Sequence, residues 1–183
     1  MKVANDILIP ELARLLNEQK EVRFTPSGVS MRPFIEGDKD SVILASMNRQ
    51  PQRGDILLAQ VTAANGNKTY VLHRLVRIEN HQSPGASPRR NGESGLRLEG
   101  QITNDQSPMT NDQSSILYVL QGDGNLSGEE TCTRNDIIGR VIAIETPQGR
   151  RKRLTRGIFW HRLLPLRRYL LKIYRHSWLK WKY

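Results

Sequence analysis

Short apolar runs that each follow a turn signal are the feature that most limits how this chain can fold. The run at 41–45 follows Gly37 and Asp38, and the run at 56–61 follows Gly54 and Asp55. Further apolar runs lie at 70–78, 115–120 and 137–144. Such runs between turn residues are typical of successive buried strands. The sequence therefore predicts a mainly β domain over residues 22–146.

Both ends of the chain have helical patterns outside this β domain. Residues 1–21 place Leu8, Leu12 and Leu15 at helical spacing, which predicts an amphipathic N-terminal helix over about 4–19. Residues 147–183 form a tail in which aromatic and cationic side chains interleave, typical of a basic amphipathic helix. A proline at position 165 is predicted to divide the tail into two helical pieces.

A stretch of different composition, residues 80–115, interrupts the β domain. It is rich in Ser, Asn, Gln, Gly and Pro, and Thr-Asn-Asp-Gln-Ser occurs in it twice, at 103–107 and 110–114. This composition is typical of a low-complexity surface loop. We predict an insertion loop without a chemical role, in which 95–102 could form one brief strand.

The net charge of +10 comes entirely from the tail. Residues 150–183 hold 12 of the 28 Lys and Arg and no Asp or Glu, which leaves 16 basic and all 18 acidic side chains in residues 1–149. A nearly neutral main domain argues against a globally nucleic-acid-binding surface. The tail favours peripheral attachment to an anionic membrane surface, because cations attract anionic headgroups and Trp and Tyr prefer the interface. The alternatives are a helix packed on the domain with a solvated cationic face, and binding of single-stranded nucleic acid.

Simple counts exclude several classes of protein. The sequence has no 18 consecutive apolar residues and no basic-then-apolar start, so neither a transmembrane helix nor a signal peptide is predicted. We therefore expect a cytoplasmic or peripherally membrane-associated protein. Cys132 is the single cysteine, which excludes an intrachain disulfide and a cysteine-based metal cluster. The histidines are not at metal-ligand spacing, so no metal or other cofactor is predicted.

The loop between Pro26 and Pro33 holds the first candidate for a chemical role. Each proline fixes its own φ and favours extended geometry in the preceding residue, and Gly28 permits a turn or a close backbone approach. Ser30 therefore lies on a bent, rigid loop. A nucleophile needs such a position, because its oxygen must meet a carbonyl carbon in a well-defined geometry. The alternative is an ordinary serine on a surface loop.

Two further side chains of the required types follow Ser30. His73 lies in the run at 70–78, where the strand period of two places it on one face with Val71 and Leu75, and Asp123 lies in the turn at 121–125. A serine hydroxyl is a weak nucleophile until a base takes its proton, and neutral imidazole is suited to that. A carboxylate can then fix the imidazole tautomer. A core or edge histidine is the alternative for His73.

The residues around these three side chains resemble a known family. Pro26-Ser27-Gly28-Val29-Ser30-Met31-Arg32-Pro33 resembles the nucleophile motif of type I signal peptidases and of the related LexA/UmuD-like self-cleaving peptidases. Arg53-Gly54-Asp55-Ile56-Leu57 looks like the next shared motif. His73-Arg74-Leu75-Val76 sits where bacterial members carry a lysine base, and histidine there is similar to ER-type and archaeal signal peptidases. Gln121-Gly122-Asp123-Gly124-Asn125 resembles their Gly-Asp-x-Asn motif, and Asn135–Val141 looks like their closing strand.

This resemblance implies a signal-peptidase/LexA-like β fold and a serine-type endopeptidase that works through an acyl-enzyme. Ser30 would be the nucleophile, His73 the general base and Asp123 the orienting carboxylate, with Asp136 as the second acidic candidate. The Ser30 backbone N–H would form the oxyanion hole. Some members add a side-chain hydroxyl at the position of Gly28, where this chain has none. Losing one oxyanion donor can cost on the order of a hundredfold in rate.

The family's substrates are extended peptide or protein precursors, such as signal peptides, with small side chains one and three residues before the cut. Two alternatives remain open. A binding module would keep the peptide groove but cut slowly or not at all, which the departure at Gly28 and the missing N-terminal membrane anchor motivate. A self-cleaving LexA/UmuD-like regulator is disfavoured, because no helix-turn-helix precedes Ser30 and His73 replaces the lysine base.

Overall fold

Eight strands and two helices make up the part of the chain that the structure describes. The structure is a computed structural model, and the described residues are 5–63, 66–80, 116–154, 157, 160 and 164–180. In chain order the elements are α1 (Asn5–Asn17), β1 (Val22–Phe24), β2 (Ser41–Ala45), β3 (Ile56–Thr62), β4 (Lys68–Asn80), β5 (Ile116–Gln121), β6 (Glu130–Cys132), a 3-10 turn (Arg134–Asp136), β7 (Ile137–Glu145), β8 (Arg151–Lys152) and α2 (Leu164–Lys180).

All eight described strands belong to one antiparallel sheet. Their order is β1-β2-β7-β3-β4-β5-β6, and β8 pairs with β7. The mainly β fold predicted from the sequence is thereby confirmed. The five apolar runs of the sequence correspond to β2, β3, β4, β5 and β7. The strands β1, β6 and β8 have only two or three residues each, too few to give a periodic signal of their own.

β3 is buried on both faces, and its successive residues belong to different core clusters. Ile56 and Leu58 pack with Leu12 and Leu16 of α1. Leu57 packs in the second cluster, together with Leu75, Tyr118, Leu120 and Cys132. Because side chains alternate along a strand, a strand covered on both faces has a continuous apolar run. The face predicted for His73 is confirmed, since Val71 and Leu75 share the second cluster while Leu72 packs on the first.

The two helices differ in how they meet the sheet. α1 packs its apolar face on the first core cluster, although Pro10 lies inside the helix. α2 turns Arg167 and Leu171 inward and leaves Leu166, Tyr169, Leu170 and Ile173 exposed. Neither described helix combines the length and the apolar character needed to cross a membrane.

Some predictions fall on residues outside the described ranges. They are the strand within 95–102, nearly all of the 80–115 insertion loop (Asn80 ends β4), and the division of the tail near position 165, which involves residues 161–163.

Candidate active site

The two ends of the loop that carries Ser30 are in backbone contact with each other. Gly28 has φ +94°, and a Cβ atom on Gly37 would lie 1.9 Å from the Gly28 carbonyl oxygen. The Asp38 N–H donates to the Pro26 carbonyl at 2.8 Å. Of the two roles predicted for Gly28, the turn is present as a positive φ, while the position with no room for a side chain is Gly37. These contacts hold the segment with Ser30 as a fixed projection from the sheet.

Ser30 and His73 line the same cavity. The cavity has a volume of about 140 Å³ and lies between the loop at 26–37 and residues 70–73 of β4, with Met31, Ile35 and Leu72 among its apolar walls. Within the described residues, no hydrogen bond joins the Ser30 hydroxyl to the His73 ring. The predicted nucleophile and base thus line one cavity, and their side chains are not hydrogen-bonded to each other. Catalytic hydrogen bonds are often long in the absence of substrate.

The carboxylate that contacts His73 belongs to Glu130. Nδ1 of His73 lies 3.0 Å from Oε2 of Glu130, and the His73 side chain is 6% exposed while that of Glu130 is 26% exposed. A carboxylate can only accept a hydrogen bond, so Nδ1 carries the proton that it donates. In the neutral ring Nε2 then has a free lone pair, which is the state that a general base requires.

Asp123 does not have the predicted role of orienting His73. Its two carboxylate oxygens accept hydrogen bonds from Nε and Nη2 of Arg74 at 2.8 and 2.7 Å. His73 and Arg74 are neighbours on β4 and therefore project to opposite faces of the sheet. The Arg74 guanidinium also donates to the Gly54 carbonyl at 2.9 Å, within the second motif. Asp123 is thus part of a buried ion pair on the face away from the imidazole.

The second acidic candidate, Asp136, also lies elsewhere. Its carboxylate accepts hydrogen bonds from the Thr133 N–H at 2.8 Å and from the Thr133 hydroxyl at 2.7 Å. This is a capping interaction at the 3-10 turn before β7. The prediction that Asp136 could replace Asp123 is therefore wrong as well.

Glu130 was missed because its strand gives almost no pattern. β6 has three residues, and it reaches the site only through the pairing of Leu120 with both Leu75 and Glu130. Directly opposite residues in a sheet share a face, so Glu130 lies on the Leu75 face, which is also the face of His73. The available signal was the turn residue Gly128, three positions after the motif at 121–125, where the structure has φ +89°.

The turn at 121–125 contacts, through its backbone, the loop at 26–37, which we call the nucleophile loop after the role predicted for Ser30. The Gly124 N–H donates to the Ser30 carbonyl at 2.7 Å. A Cβ atom on Gly122 would lie 2.6 Å from the same carbonyl oxygen, and one on Gly124 would lie 2.9 Å from the Val29 carbonyl. The two glycines of this motif thus allow two backbones to touch. The turn thus fixes the position of the Ser30 peptide. Its predicted role was to supply Asp123 as the carboxylate that orients His73.

The donors available to an oxyanion are on the same loop. Among the described residues, no acceptor is hydrogen-bonded to the Ser30 backbone N–H. Ser27 lines the cavity and is the hydroxyl closest in sequence to the position that Gly28 occupies. No group of three His, Cys, Asp or Glu side chains in the described ranges is placed to hold a metal ion.

One edge of β4 beside the cavity has no strand partner among the described residues. Lys68 to Arg74 pair with β3 on one side, while β5 begins its pairing only at Arg74. Among the described strands, none pairs with residues 68–73 on the second side. An extended peptide could add there as a strand, with its backbone alongside Ser30 and His73.

Comparison of the chain with protein-family models, with curated proteins and with solved structures found no match.

Proposed function

We propose that the protein is a serine-type endopeptidase of the signal-peptidase kind, with Ser30 as nucleophile, His73 as base and Glu130 as orienting carboxylate. One observation carries the proposal: His73 binds a carboxylate through Nδ1 at 3.0 Å and lines one cavity with Ser30. The contact geometry supports the triad, and the motif resemblance indicates the type of peptidase.

The arrangement supports acyl transfer in two halves. The Ser30 hydroxyl gives its proton to Nε2 of His73 as Oγ forms a bond to the scissile carbonyl carbon, and Glu130 stabilises the imidazolium. The imidazolium then gives that proton to the leaving amine as the peptide C–N bond breaks, which leaves an acyl-enzyme. Water, deprotonated by His73, releases the acyl group and restores the serine hydroxyl. The Ser30 N–H would stabilise both oxyanions.

The cavity and the strand edge define the substrate class. An extended peptide paired with residues 68–73 would present alternate side chains to the cavity. At about 140 Å³ the cavity is well below the roughly 300–1,000 Å³ of pockets that enclose drug-sized ligands. A small apolar side chain before the cut is therefore favoured, and a Trp or Tyr there should be rejected.

A fluorophosphonate probe with mass mapping tests this proposal. We expect the wild-type protein to be labelled at Ser30, and expect Ser30→Ala and His73→Ala to lose the label while they keep the wild-type circular dichroism spectrum. Ser46→Ala is the matched serine control, because Ser46 donates to Gln19 far from the cavity. Absence of labelling in folded wild-type protein, or equal labelling of His73→Ala, would overturn the proposal.

A peptide-binding module is the second candidate. It is favoured by the absence, within the described residues, of a hydrogen bond between Ser30 and His73, and by Gly28, which offers no hydroxyl to an oxyanion. A binding module would take up a fluorescent extended peptide along β4 while its Ser30 stays unlabelled. Cleavage of the peptide by wild-type protein, but not by Ser30→Ala, would exclude this candidate.

We also propose that the outer face of α2 binds an anionic membrane surface. Tyr169 and Ile173 are 68% and 61% exposed, and the exposed cations Arg168 and Lys172 lie beside them. An apolar stripe flanked by cations suits the boundary between headgroups and acyl chains. Sedimentation with phosphatidylserine-containing vesicles, weakened by salt and by Ile173→Glu, is expected. Equal binding to neutral vesicles, or binding to RNA and not to vesicles, would contradict it.

A further inference from the structure

Arg167 of α2 is a buried cation in the basic tail. It is 0% exposed, whereas arginine is almost never fully buried unless it is paired. Its Nη2 donates to the carbonyls of Gly122 and Asp123, each at 3.0 Å, and to the carbonyl of Asn125. All three acceptors belong to one turn, the segment 121–125. A single guanidinium therefore holds the backbone of that turn from the side of the tail.

The same turn holds Ser30 from its other side. Its Gly124 N–H donates to the Ser30 carbonyl at 2.7 Å, and the close approach at Gly122 leaves no room for a side chain between the two backbones. A continuous series of polar contacts thus leads from Arg167 through the turn to the Ser30 peptide. Because the Ser30 carbonyl is hydrogen-bonded to the turn, a shift of the turn is expected to move the nucleophile loop.

A second contact from the tail reinforces the first. Nε1 of Trp160 donates to the Asp123 carbonyl at 2.8 Å, and its ring packs edge-on against Phe34 with centroids 5.7 Å apart. Phe34 belongs to the nucleophile loop. The Arg167 guanidinium lies 6.0 Å from the centroid of the Trp160 ring. The tail therefore contacts both the turn and the loop that carries Ser30.

Electrostatics explains why an arginine occupies this position. Burial lowers the pKa of the Arg167 guanidinium, and the nearby Asp123 carboxylate opposes that shift. Asp123 already binds Arg74 through both oxygens, so the turn's carbonyl groups solvate the second cation. Nη1 of the same guanidinium donates to the Gln121 side-chain oxygen at 3.4 Å, so two nitrogens of one planar group contact the turn, whereas a lysine ammonium is a single point charge on a flexible stem.

We propose that Arg167 is a positioning residue for Ser30: it fixes the turn at 121–125 and, through the Gly124–Ser30 hydrogen bond, the nucleophile's place in the cavity. The inference rests on the proposed function. It makes the tail a part of the catalytic apparatus in addition to a surface element. A displacement of about 1 Å at a reacting atom can cost about a hundredfold in rate.

Arg167→Lys and Arg167→Ala test the inference, with Leu171→Ala as the control. Leu171 is buried one turn further along the same face of α2, so its loss weakens the docking of the helix without removing the hydrogen bonds to the turn. We expect Arg167→Lys to slow fluorophosphonate labelling of Ser30 by tenfold to a hundredfold, and to lower kcat for a peptide substrate with KM within about twofold. Leu171→Ala should lower the melting temperature and leave the labelling rate unchanged.

Amide hydrogen exchange provides a readout that does not need activity. In Arg167→Lys we expect faster exchange in peptides that span 121–126 and 28–35, with β3 at its wild-type rate. If wild-type Ser30 is not labelled, the proposed function fails, and the exchange measurement still decides whether Arg167 controls the loop. Unchanged exchange at 28–35 would overturn the inference. Global unfolding of both Arg167 variants would also overturn it, because Arg167 would then be a core residue only.

Discussion

The carboxylate of Asp123 and the guanidinium of Arg74 form a buried, doubly hydrogen-bonded ion pair, with side chains 0% and 1% exposed. The pair joins the turn at 121–125 to β4 at Arg74, the residue that follows His73. Gly157 of the tail closes over it, since a Cβ atom there would lie 2.6 Å from Nε of Arg74. The acidic residue of this turn therefore holds the framework of the site together.

Asp123→Asn should destabilise the fold strongly. The change leaves the Arg74 charge buried without its counter-charge, and breaking a buried pair in this way typically costs about 3–5 kcal/mol. Urea unfolding of the variant should show a clearly lower midpoint. Glu11→Gln is the control, because Glu11 is in an exposed ion pair with Arg14, and its urea midpoint should equal that of wild-type protein. An Asp123→Asn protein of wild-type stability would mean that the pair contributes nothing.

Glu130→Gln should affect the chemistry while it leaves the fold intact. A Gln amide can donate to Nδ1 of His73, which favours the ring tautomer with its proton on Nε2 and removes the base. We expect labelling of Ser30 to slow by on the order of 10²–10⁴-fold, as when the orienting carboxylate of a triad is lost. Because Glu130 is partly exposed, the melting temperature should change little.

The neighbouring residue offers a matched control for that measurement. Glu129 is exposed and forms an ion pair with Arg77 at 2.7 Å. Glu129→Gln removes the same charge one residue away, and Ser30 in this variant should be labelled at the wild-type rate. Equal rates for both glutamine variants would show that Glu130 does not orient the base.

The strands that could be predicted are those with a continuous apolar run, whether both faces are buried, as in β3, or only one, as in β2. β2 and β3 have continuous apolar runs after turn residues, and their predicted bounds agree with the structure within one residue. The face of His73 followed from the period of two alone. Each of these properties depends on residues close together in the chain, and that is why each could be predicted from the sequence.

The partners of charged side chains could not be predicted in the same way. Whether Asp123 meets His73 or Arg74 depends on which side of β4 the turn approaches, and that is decided by tertiary packing. Glu130 reaches the imidazole through a three-residue strand two strands away. Arg167 is one of 12 cations in the tail, and nothing local distinguishes it from those whose described side chains are exposed, such as Arg168 and Lys172.

Gly37→Ala should open the nucleophile loop. The added Cβ would meet the Gly28 carbonyl oxygen at 1.9 Å, and both atoms belong to backbone that cannot rotate away. We expect lower thermal stability and a labelling rate reduced at least tenfold. At Gly66, φ is +81° and a Cβ would have nothing within 4 Å, so Gly66→Asn, which tolerates this conformation, is the control. Full labelling of Gly37→Ala would show that the loop does not need its closed base.

Cys132 should stay unreactive in the folded protein well above the pH at which free thiols react. Burial raises its pKa to about 12, and the nearby Asp136 carboxylate adds to the shift. The thiolate is the reactive form, so folded protein should resist iodoacetamide at pH 9, while urea-unfolded protein is alkylated rapidly.

The raised pKa of Cys132 also makes stability depend on pH. The neutral thiol stabilises the folded state below about pH 9, the usual pKa of the thiol in the unfolded chain, and this contribution is lost as pH rises towards 12. Between these values the free energy of unfolding should therefore fall more steeply for wild-type protein than for Cys132→Ala, since the other groups that titrate there are common to both. Identical slopes, or rapid alkylation of folded protein at pH 9, would place the thiol in contact with solvent.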